Sequence, residues 1–181
     1  QYTDKYRSPL GEITLASDGD HLTGLWFDGQ KYFAATLSAE LITKYPGPIA
    51  IFPLRRVMCV PVICGPGKQH VSGGGRLDTP FRLAVWDLLS KIPYGEVVTY
   101  KELAGEIARQ RGIPSMSTQA IGGAVGHNPI SIIIPCHRVV GANGSLTGYA
   151  GGVEKKRRLL LLEGVDKKRS LLTIERAPKV S

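Results

Sequence analysis

Alternating polar and apolar residues near the start of the chain predict β-strands. Residues 12–16 alternate, a cluster of turn-forming residues occupies 17–20, and residues 22–27 are rich in apolar and aromatic side chains. Two such runs joined by a polar turn predict a β-hairpin. A short helix is expected to follow, from about Gln30 to Glu40. Since nothing in this part carries obvious chemistry, we interpret it as a scaffold.

The pattern breaks down between residues 45 and 76. Five prolines and a triple glycine exclude a long helix in this stretch. Cys59, Cys64 and His70 also lie here, but a structural zinc ion takes four ligands, and these three residues have an unusual spacing. We therefore interpret the segment as an irregular linker between two domains that divide near residue 77.

Helical periodicity dominates the rest of the chain. Four amphipathic helices are predicted, at about 80–92, 99–109, 117–126 and 152–163. Thr79 is a good N-cap for the first helix because Pro80 follows it at the first helical position. The second and third helices are typical of a helix-turn-helix with a slightly long turn. The apolar run at residues 130–135 predicts a buried extended segment.

Composition and charge narrow the classes of function. The chain has 23 Lys and Arg against 15 Asp and Glu, and this net charge of +8 favours a polyanionic partner, nucleic acid above all. A hydrophobic fraction of 43% excludes a wholly disordered chain. The apolar runs are far shorter than the roughly 20 residues of a membrane span, and the sequence as given begins with no secretion signal. Three cysteines cannot all pair with one another, and a chain of 181 residues does not need disulfides, so a reducing compartment is expected: the cytoplasm of a bacterium, in association with the nucleoid, or the nucleus of a eukaryote.

The strongest candidate for chemistry is the cysteine in the segment Ile-Pro-Cys-His-Arg-Val-Val. Cys136 follows an apolar run and Pro135, and His137 and Arg138 come directly after it. Imidazole or cationic neighbours lower a thiol pKa from about 8.5 toward neutrality, and the thiolate is a strong nucleophile. Free cysteine is also a common core residue. Adjacent Cys and His residues do not by themselves decide between a reactive and a buried thiol.

A longer series of motifs favours the reactive thiol. The Pro-Cys-His-Arg motif at 135–138, with Gly-His-Asn-Pro at 126–129 and Gly-Tyr-Ala-Gly-Gly at 148–152, resembles the O6-alkylguanine-DNA alkyltransferases, also called methylated-DNA–protein-cysteine methyltransferases. The likeness covers about 79–164 and is looser at 8–11 and 22–25, within the proposed scaffold.

The resemblance implies an α+β fold with two domains. The first, 1–77, would be a small α/β domain of ribonuclease H-like type, with a sheet and a helix, followed by the irregular linker. The second, 78–165, would be a mainly helical, winged-helix-like DNA-binding domain, and 166–181 would be a basic tail.

The resemblance also implies direct reversal of DNA damage. The family moves an alkyl group from O6 of guanine, and from O4 of thymine, onto a cysteine sulfur without a cofactor or a metal. The thioether product is not cleaved, so each molecule acts once. A base inside a duplex cannot reach a buried thiol, so the nucleotide is rotated out of double-stranded DNA. Members of the family bind this DNA from its minor groove. We expect the same of this chain, acting as a monomer.

The resemblance assigns roles to five residues. Cys136 would be the nucleophile and acceptor, and His137 would take its proton through a water molecule. Glu163 would orient the imidazole, as in other nucleophile–base–orienter triads. Asn128 would brace the active-site turn, and Tyr100 would donate a proton to the leaving guanine. Without the resemblance, all but Cys136 and His137 have ordinary explanations, such as core packing for Tyr100 or a turn pair for Asn128.

A second set of residues is expected at the guanine base or the DNA. Small residues on the third helix would permit close approach of its backbone, and Lys156 belongs to a basic run on the last helix that either lines the DNA path or forms a solvated face. The set comprises Gln119, Ala120, Gly122, Gly123, Pro135, Arg138, Val139, Tyr149, Ala150 and Lys156.

Two features depart from the family pattern. Gln119 stands where well-known members place an arginine that fills the gap left by the extruded base. The segment at 45–76 replaces a helix that usually links the two domains, so it is either a distinct linker or a local slip of the reading frame.

Two other functions remain open at this point. A non-catalytic helix-turn-helix protein could bind lesions without removing them, and a labelled methyl group on the protein would exclude it. A cysteine hydrolase using Cys136 and His137 would turn over repeatedly without DNA, and a one-to-one stoichiometry would exclude it.

Overall fold

The computed structural model describes residues 2–17, 22–35, 37, 43–44 and 79–165. The proposed linker with its two cysteines and histidine, and the basic tail, lie outside these residues. The sequence-based interpretations of both segments therefore stay predictions.

A four-stranded sheet forms the N-terminal part of the structure. Its strands are β1 (Tyr2–Ser8), β2 (Gly11–Ser17), β3 (Leu22–Phe27) and β4 (Thr43–Lys44), in the order β3-β2-β1-β4. The predicted hairpin is confirmed as the antiparallel pair β2–β3. β1 pairs antiparallel with β2 on the other side, and β4 runs parallel to β1.

The segment after β3 differs from the helix predicted there. Residues 31–35 form a turn in which Tyr32 and Ala34 adopt φ angles of 60° and 54°, which a right-handed helix does not permit. Tertiary contacts explain the difference, because the Tyr32 ring stacks on His127 with centroids 3.7 Å apart. The helix prediction is wrong for these residues, and most of its remainder lies outside the described part of the chain.

The predicted helices of the C-terminal part are confirmed. They are α1 (Pro80–Ser90), α2 (Tyr100–Arg111), α3 (Thr118–Gly126) and α4 (Val153–Leu162). Thr79 caps α1 through a hydrogen bond from Arg82 N, and Thr99 begins α2 with a reciprocal capping box to Glu102. None of the helices in the described residues is long and apolar enough to cross a bilayer.

The first three helices enclose a shared apolar core. α2 and α3, the predicted helix-turn-helix pair, pack against each other, and α1 packs against both. Trp86 of α1 donates its indole N–H to Ala124 O at 2.9 Å, which fixes α1 across α3. The fully buried members of this core include Val85, Leu89, Ile107, Ile121 and Val139.

The segment at 130–135 is a compact turn, so the prediction of an extended run is wrong. Ile133 N donates to Ser131 O at 2.8 Å and Ile134 N donates to Ile130 O at 3.0 Å. The Asn128 side chain bonds to the backbone of Ile130 and Ile134, and these local bonds outweigh the strand preference of the isoleucines. We call residues 128–135 the acceptor turn because it leads directly into Cys136.

The acceptor turn joins the two halves of the molecule. A 3-10 turn (Cys136–Arg138) follows it and continues into β6 (Val139–Val140), which pairs parallel with β5 (Val98–Thr99). On the other side, Leu25 N of β3 donates to Pro129 O at 2.9 Å and Ser131 N donates to Leu25 O at 2.8 Å. The N-terminal sheet therefore supports the turn that carries the candidate nucleophile.

Candidate active site

Cys136 is a buried free thiol held by Asn128. The exposed fraction of Cys136 is 3%, and the Asn128 amide donates from Nδ2 to its sulfur at 3.1 Å. The same amide nitrogen donates to Ile134 O at 2.8 Å, while Asn128 Oδ1 accepts from Ile130 N at 3.0 Å. One buried side chain thus fixes both the shape of the acceptor turn and the position of the sulfur.

His137 and Glu163 form a buried pair next to the thiol. His137 Nε2 lies 2.8 Å from Glu163 Oε1. A carboxylate only accepts hydrogen bonds, so the imidazole proton resides on Nε2 and Nδ1 keeps its lone pair. Among the described residues, this buried Nδ1 has no hydrogen-bond partner. The arrangement leaves one nitrogen of His137 able to accept a proton.

Arg138 completes the surroundings of Glu163. Its guanidinium donates from Nε to Oε2 at 2.9 Å and from NH2 to Oε1 at 3.0 Å, and its NH1 donates to Ile92 O at 2.6 Å. Gly95 N adds a fourth bond to the carboxylate at 3.3 Å. Burial opposes ionisation of Glu163, but the bonds from His137 and Arg138 and their charges outweigh it and lower the carboxyl pKa to about 2.

Arg138 binds and holds the Glu163 carboxylate, a role that the sequence did not indicate. It was expected to contact the base or the DNA, yet its side chain is committed to Glu163 and to the main chain of Ile92. Its position next to His137 gave no signal of this contact, because Glu163 is distant in sequence.

Burial sets the resting protonation states of the thiol and the imidazole. It raises the pKa of Cys136, against the hydrogen bond from Asn128 and the positive charge of Lys156, which both lower it. It also lowers the pKa of His137, although the Glu163 carboxylate opposes this effect. Both groups are therefore neutral in the closed site, as a thiol donor and an imidazole acceptor of one proton.

Tyr100 stands at the start of α2 with its hydroxyl directed into the loop before Tyr149. The hydroxyl lies 3.0 Å from Gly148 O and 3.3 Å from Thr147 O, to which it can donate. Burial and then the nearby Cys136 raise the pKa of Tyr100 to about 12, so the phenol keeps its proton at neutral pH.

Lys156 lies near the site, as expected, but not on the DNA-facing surface. Its side chain is completely buried, and Nζ donates to Thr147 O at 2.9 Å and lies 5.9 Å from the centre of the Tyr100 ring. Burial lowers the pKa of Lys156 to about 8, although attraction to Cys136 opposes this. Its ammonium points into the protein and not toward solvent, and the expected role of Lys156 at the base or the DNA stays a prediction. Spacing to Leu159 and Leu160 on the same helix face could have indicated burial.

The loop after Thr147 closes one side of the site. The Tyr149 hydroxyl is buried without a hydrogen-bond partner among the described residues, and burial raises its pKa well above the usual range. Gly151 packs so closely that an added Cβ would lie 2.9 Å from the Tyr149 ring and 3.1 Å from Phe27. Ala150 is half-buried, and its carbonyl accepts from Lys31 N at 3.0 Å. The other two expected residues, Pro135 and Val139, are buried beside Cys136 in the chain.

The expected DNA-facing residues of α3 form a small, uncharged surface. Gln119, Ala120 and Gly123 are exposed, whereas Gly122 is half-buried with Tyr100 beside it. α3 contains no charged side chain at all. Its exposed face permits close approach by another backbone but offers no cation to a phosphate.

The described residues contain no group of three or more His, Cys, Asp and Glu side chains that could hold a metal ion. The reactive groups that the fold brings together around Cys136 are a thiol, an imidazole–carboxylate pair and a phenol.

Comparison with known families and proteins gives a consistent set of matches. Residues 80–165 match the family described as 6-O-methylguanine DNA methyltransferase, DNA binding domain, and residues 2–46 match the ribonuclease-like domain of the same proteins. The chain is 54% identical over 169 residues to a methylated-DNA–protein-cysteine methyltransferase of Mycolicibacterium paratuberculosis, covering 86% of this chain and 88% of that protein. It is 37% identical over 173 residues to a protein of the same name from Methanosarcina acetivorans, covering 88% and 96%.

Solved structures give the same result at the level of the fold. The crystal structure of Mycobacterium tuberculosis OGT in complex with DNA aligns with a TM-score of 0.65 and 39% identity, over 90% of this chain and 92% of that one. The O6-methylguanine-DNA methyltransferase of Pyrococcus kodakaraensis aligns with a TM-score of 0.53 and 25% identity, over 91% and 99%.

Proposed function

The chain belongs to the 6-O-methylguanine DNA methyltransferase family and repairs DNA by direct alkyl transfer, and we propose that Cys136 is the residue that accepts the alkyl group from O6-alkylguanine. One observation carries this assignment. The sulfur of Cys136 is fixed by Asn128 at 3.1 Å and is adjacent in sequence to an imidazole whose Nδ1 is buried and unprotonated.

The proposed reaction is a single displacement at carbon. The Cys136 thiolate attacks the alkyl carbon, a sulfur–carbon bond forms, and the bond between that carbon and O6 of guanine breaks with its electron pair remaining on the guanine. No second nucleophile is needed, and no group of the site can cleave the resulting thioether. Each molecule is therefore consumed by one repair event, and O4-alkylthymine would react in the same way.

His137 is the proposed base for the thiol proton. Adjacent side chains seldom face each other directly, so a water molecule would carry the proton from Cys136 to the free Nδ1 of His137. Glu163 then stabilises the imidazolium, because its carboxylate stays ionised at any pH well above 2. Arg138 keeps this carboxylate in place.

Tyr100 is the proposed donor to the leaving guanine. Burial raises the pKa of its hydroxyl to about 12, so the hydroxyl keeps its proton at neutral pH. The hydroxyl also lies next to the loop that carries Tyr149. To donate to the base it must exchange the carbonyl of Gly148 for the guanine. Lys156, held under the same loop, lowers the pKa of Cys136 by its positive charge and so favours the thiolate.

DNA is bound through the exposed face of α3 in this proposal. Because Ala120 carries only a methyl group and Gly123 has no side chain, the helix backbone can approach the minor groove, and the target base rotates out of the duplex toward Cys136. Gln119 occupies the edge of this face and would fill the space left by the base. Since α3 is uncharged, phosphate contacts from neighbouring basic residues supply affinity and make it dependent on salt. The protein would act as a monomer.

Labelled DNA tests the proposal directly. Incubation with duplex carrying radiolabelled O6-methylguanine, followed by peptide mapping, should place one label per protein molecule on the peptide that contains Cys136. The Cys136→Ser variant should bind the same DNA and take up no label. Label on another residue, repeated turnover by the wild type, or repair by Cys136→Ser would each overturn the assignment.

A further inference from the structure

Gln30 connects the N-terminal sheet to the acceptor turn. It follows β3 closely, and its exposed fraction is 7%. Its side-chain oxygen Oε1 accepts from Phe27 N at 2.9 Å and lies 3.3 Å from the hydroxyl oxygen of Ser131, which is 2% exposed. The buried amide of Gln30 is therefore bonded to a residue that lies 101 positions away in sequence.

The polarity of this contact is fixed by chemistry. A backbone N–H can only donate, so the Gln30 atom facing Phe27 must be the oxygen and not the amide nitrogen. The same oxygen faces Ser131, and the serine hydroxyl must therefore donate to it. This leaves the lone pairs of Ser131 directed elsewhere and available to accept one further hydrogen bond.

Tyr149 packs against the same end of β3. It lies with Ile132 and Ile133 of the acceptor turn against the apolar cluster that includes Phe27. Its hydroxyl is buried without a hydrogen-bond partner among the described residues. Packing against the acceptor turn and β3, rather than a hydrogen bond of its own, therefore holds the Tyr149 ring.

A second contact from the same segment holds the loop of Tyr149. Lys31, next to Gln30, donates its backbone N–H to Ala150 O at 3.0 Å. Phe27 lies against Gly151 so closely that a Cβ at residue 151 would be 3.1 Å from its ring. The segment at the end of β3 thus contacts both the acceptor turn, through Ser131, and the loop that carries Tyr149, through Ala150 and Gly151.

We propose that Gln30 is a positioning residue for the guanine-binding side of the site: it holds Phe27 and the acceptor turn at Ser131, and the packing of Tyr149 against both places its ring where the everted base would bind. The inference rests on the proposed function, because it takes Tyr149 as one of the residues that contact the guanine. It gives the N-terminal sheet a specific part in substrate binding. Gln30 itself touches neither the base nor the sulfur.

Reaction with free O6-benzylguanine isolates the pocket from DNA binding. Gln30→Leu removes the acceptor, and the concentration of O6-benzylguanine that gives half the maximal rate should rise about tenfold, the size expected for one lost buried hydrogen bond. The rate at saturating O6-benzylguanine should change by less than about twofold, since the hydrogen bonds from Asn128 that fix the sulfur and the backbone of the acceptor turn are retained. Gln30→Glu retains an acceptor oxygen and should restore most of the affinity.

A double-mutant cycle shows whether Gln30 acts through Ser131. Ser131→Ala alone should raise the half-saturating concentration by a similar factor, and the double variant should be no worse than either single variant. Ser131→Ala keeps Gln30 intact, so it provides the same test if Gln30→Leu does not fold. Multiplying effects, or wild-type affinity in both single variants, would overturn the proposal.

Thr14→Val is the matched control. It removes another buried side-chain hydrogen bond of the same sheet, the 2.6 Å bond to Asp28, without touching the C-terminal part. It should lower thermal stability and leave the O6-benzylguanine affinity unchanged, and an equal loss of affinity would mean that Gln30 acts only through stability. Alkylation of the wild type at Cys136 is measured in the same series. A normal wild type with a normal Gln30→Leu refutes this inference alone, whereas an unlabelled wild type refutes the proposed function.

Discussion

The imidazole of His137 and the carboxylate of Glu163 meet at 2.8 Å in a space that solvent hardly reaches, with side-chain exposures of 1% and 8%. Arg138 binds the same carboxylate through two nitrogens. Glu163 is therefore the common hydrogen-bond partner of the His137 imidazole and the Arg138 guanidinium. The hydrogen bonds that join His137, Arg138 and Glu163 therefore depend on the negative charge of Glu163.

Removing that charge should slow alkyl transfer. Glu163→Gln keeps the shape of the side chain but leaves an imidazolium at His137 without its counter-ion, so the single-turnover rate on DNA carrying O6-methylguanine should fall by about a hundredfold. Rapid-quench kinetics measure the rate, and binding of undamaged DNA serves as the control. A rate within about twofold of the wild type would exclude Glu163 from the proton transfer.

The same carboxylate should make the fold sensitive to acid. Its pKa falls from 4.5 to about 2 on folding, so the folded state binds fewer protons in this range. The resulting stability is present above pH 4.5 and is lost as the pH falls toward 2, an effect of about 2 kcal/mol after allowance for solvent screening. Urea unfolding of wild type and Glu163→Gln between pH 6 and 3 measures it. Parallel pH curves for the two proteins would contradict the assignment.

Gln119→Arg should alter repair of duplex DNA and spare the chemistry. A cation on the exposed face of α3 adds a phosphate or orphan-base contact, so duplex repair should become faster and the slope of log affinity against log salt should steepen by about one. Reaction with free O6-benzylguanine should be nearly unaltered. Gln110→Arg, which adds the same charge to the exposed end of α2, is the matched control. Equal effects of Gln119→Arg on both substrates would refute the prediction.

Lys156→Met should weaken the thiol nucleophile at neutral pH. Loss of the buried ammonium removes a charge that lowers the pKa of Cys136, so the O6-benzylguanine reaction should slow and its pH profile should move to higher pH. Because the pKa of Lys156 is about 8, the difference from the wild type should shrink above that pH. Lys155→Met, on the same helix but less buried, should react like the wild type. An unchanged pH profile in Lys156→Met would show that the charge of Lys156 does not affect the reactivity of Cys136.

Gly123→Ala should separate stability from DNA binding. A Cβ at this position meets nothing within 4 Å, and alanine in a helix is more stable than glycine by about 0.5–1 kcal/mol. The added methyl nevertheless lies on the face proposed to approach DNA, so duplex affinity should fall while the melting temperature rises. Gly105→Ala on α2 also meets open space and should raise stability without changing affinity. Unchanged duplex affinity in Gly123→Ala would show that DNA does not bind at this face of α3.

Local signals predicted the helices well. Thr79, Thr99 and Gly112 mark helix ends through capping or a left-handed backbone, and these effects act within a few residues. The joining of His137 to Glu163 followed from the family resemblance and not from spacing. A contact across 26 positions leaves no periodic trace in the sequence.

Two departures from the sequence patterns have identifiable side-chain causes. The isoleucines at 130–134 prefer strands, but the buried side chain of Asn128 folds them into a turn. Lys156 reads as one member of a basic run, yet it shares its helix face with Leu159 and Leu160 and is enclosed by the loop at Thr147. Asn128 acts within six residues of the turn, but a strand propensity takes no account of its side-chain bonds, whereas the carbonyl of Thr147 reaches Lys156 only in the folded chain.

The bonds between Leu25 and the acceptor turn also protect the outer edge of the sheet. Residues 129–131 occupy backbone groups of β3 that would otherwise be open to another strand. A fragment that starts at residue 79 keeps residues 129–131 but loses their partner Leu25. A fragment that ends before residue 79 keeps β3 but exposes its edge as a template for intermolecular pairing. Expression of either half alone should therefore favour aggregation more than expression of the intact polypeptide.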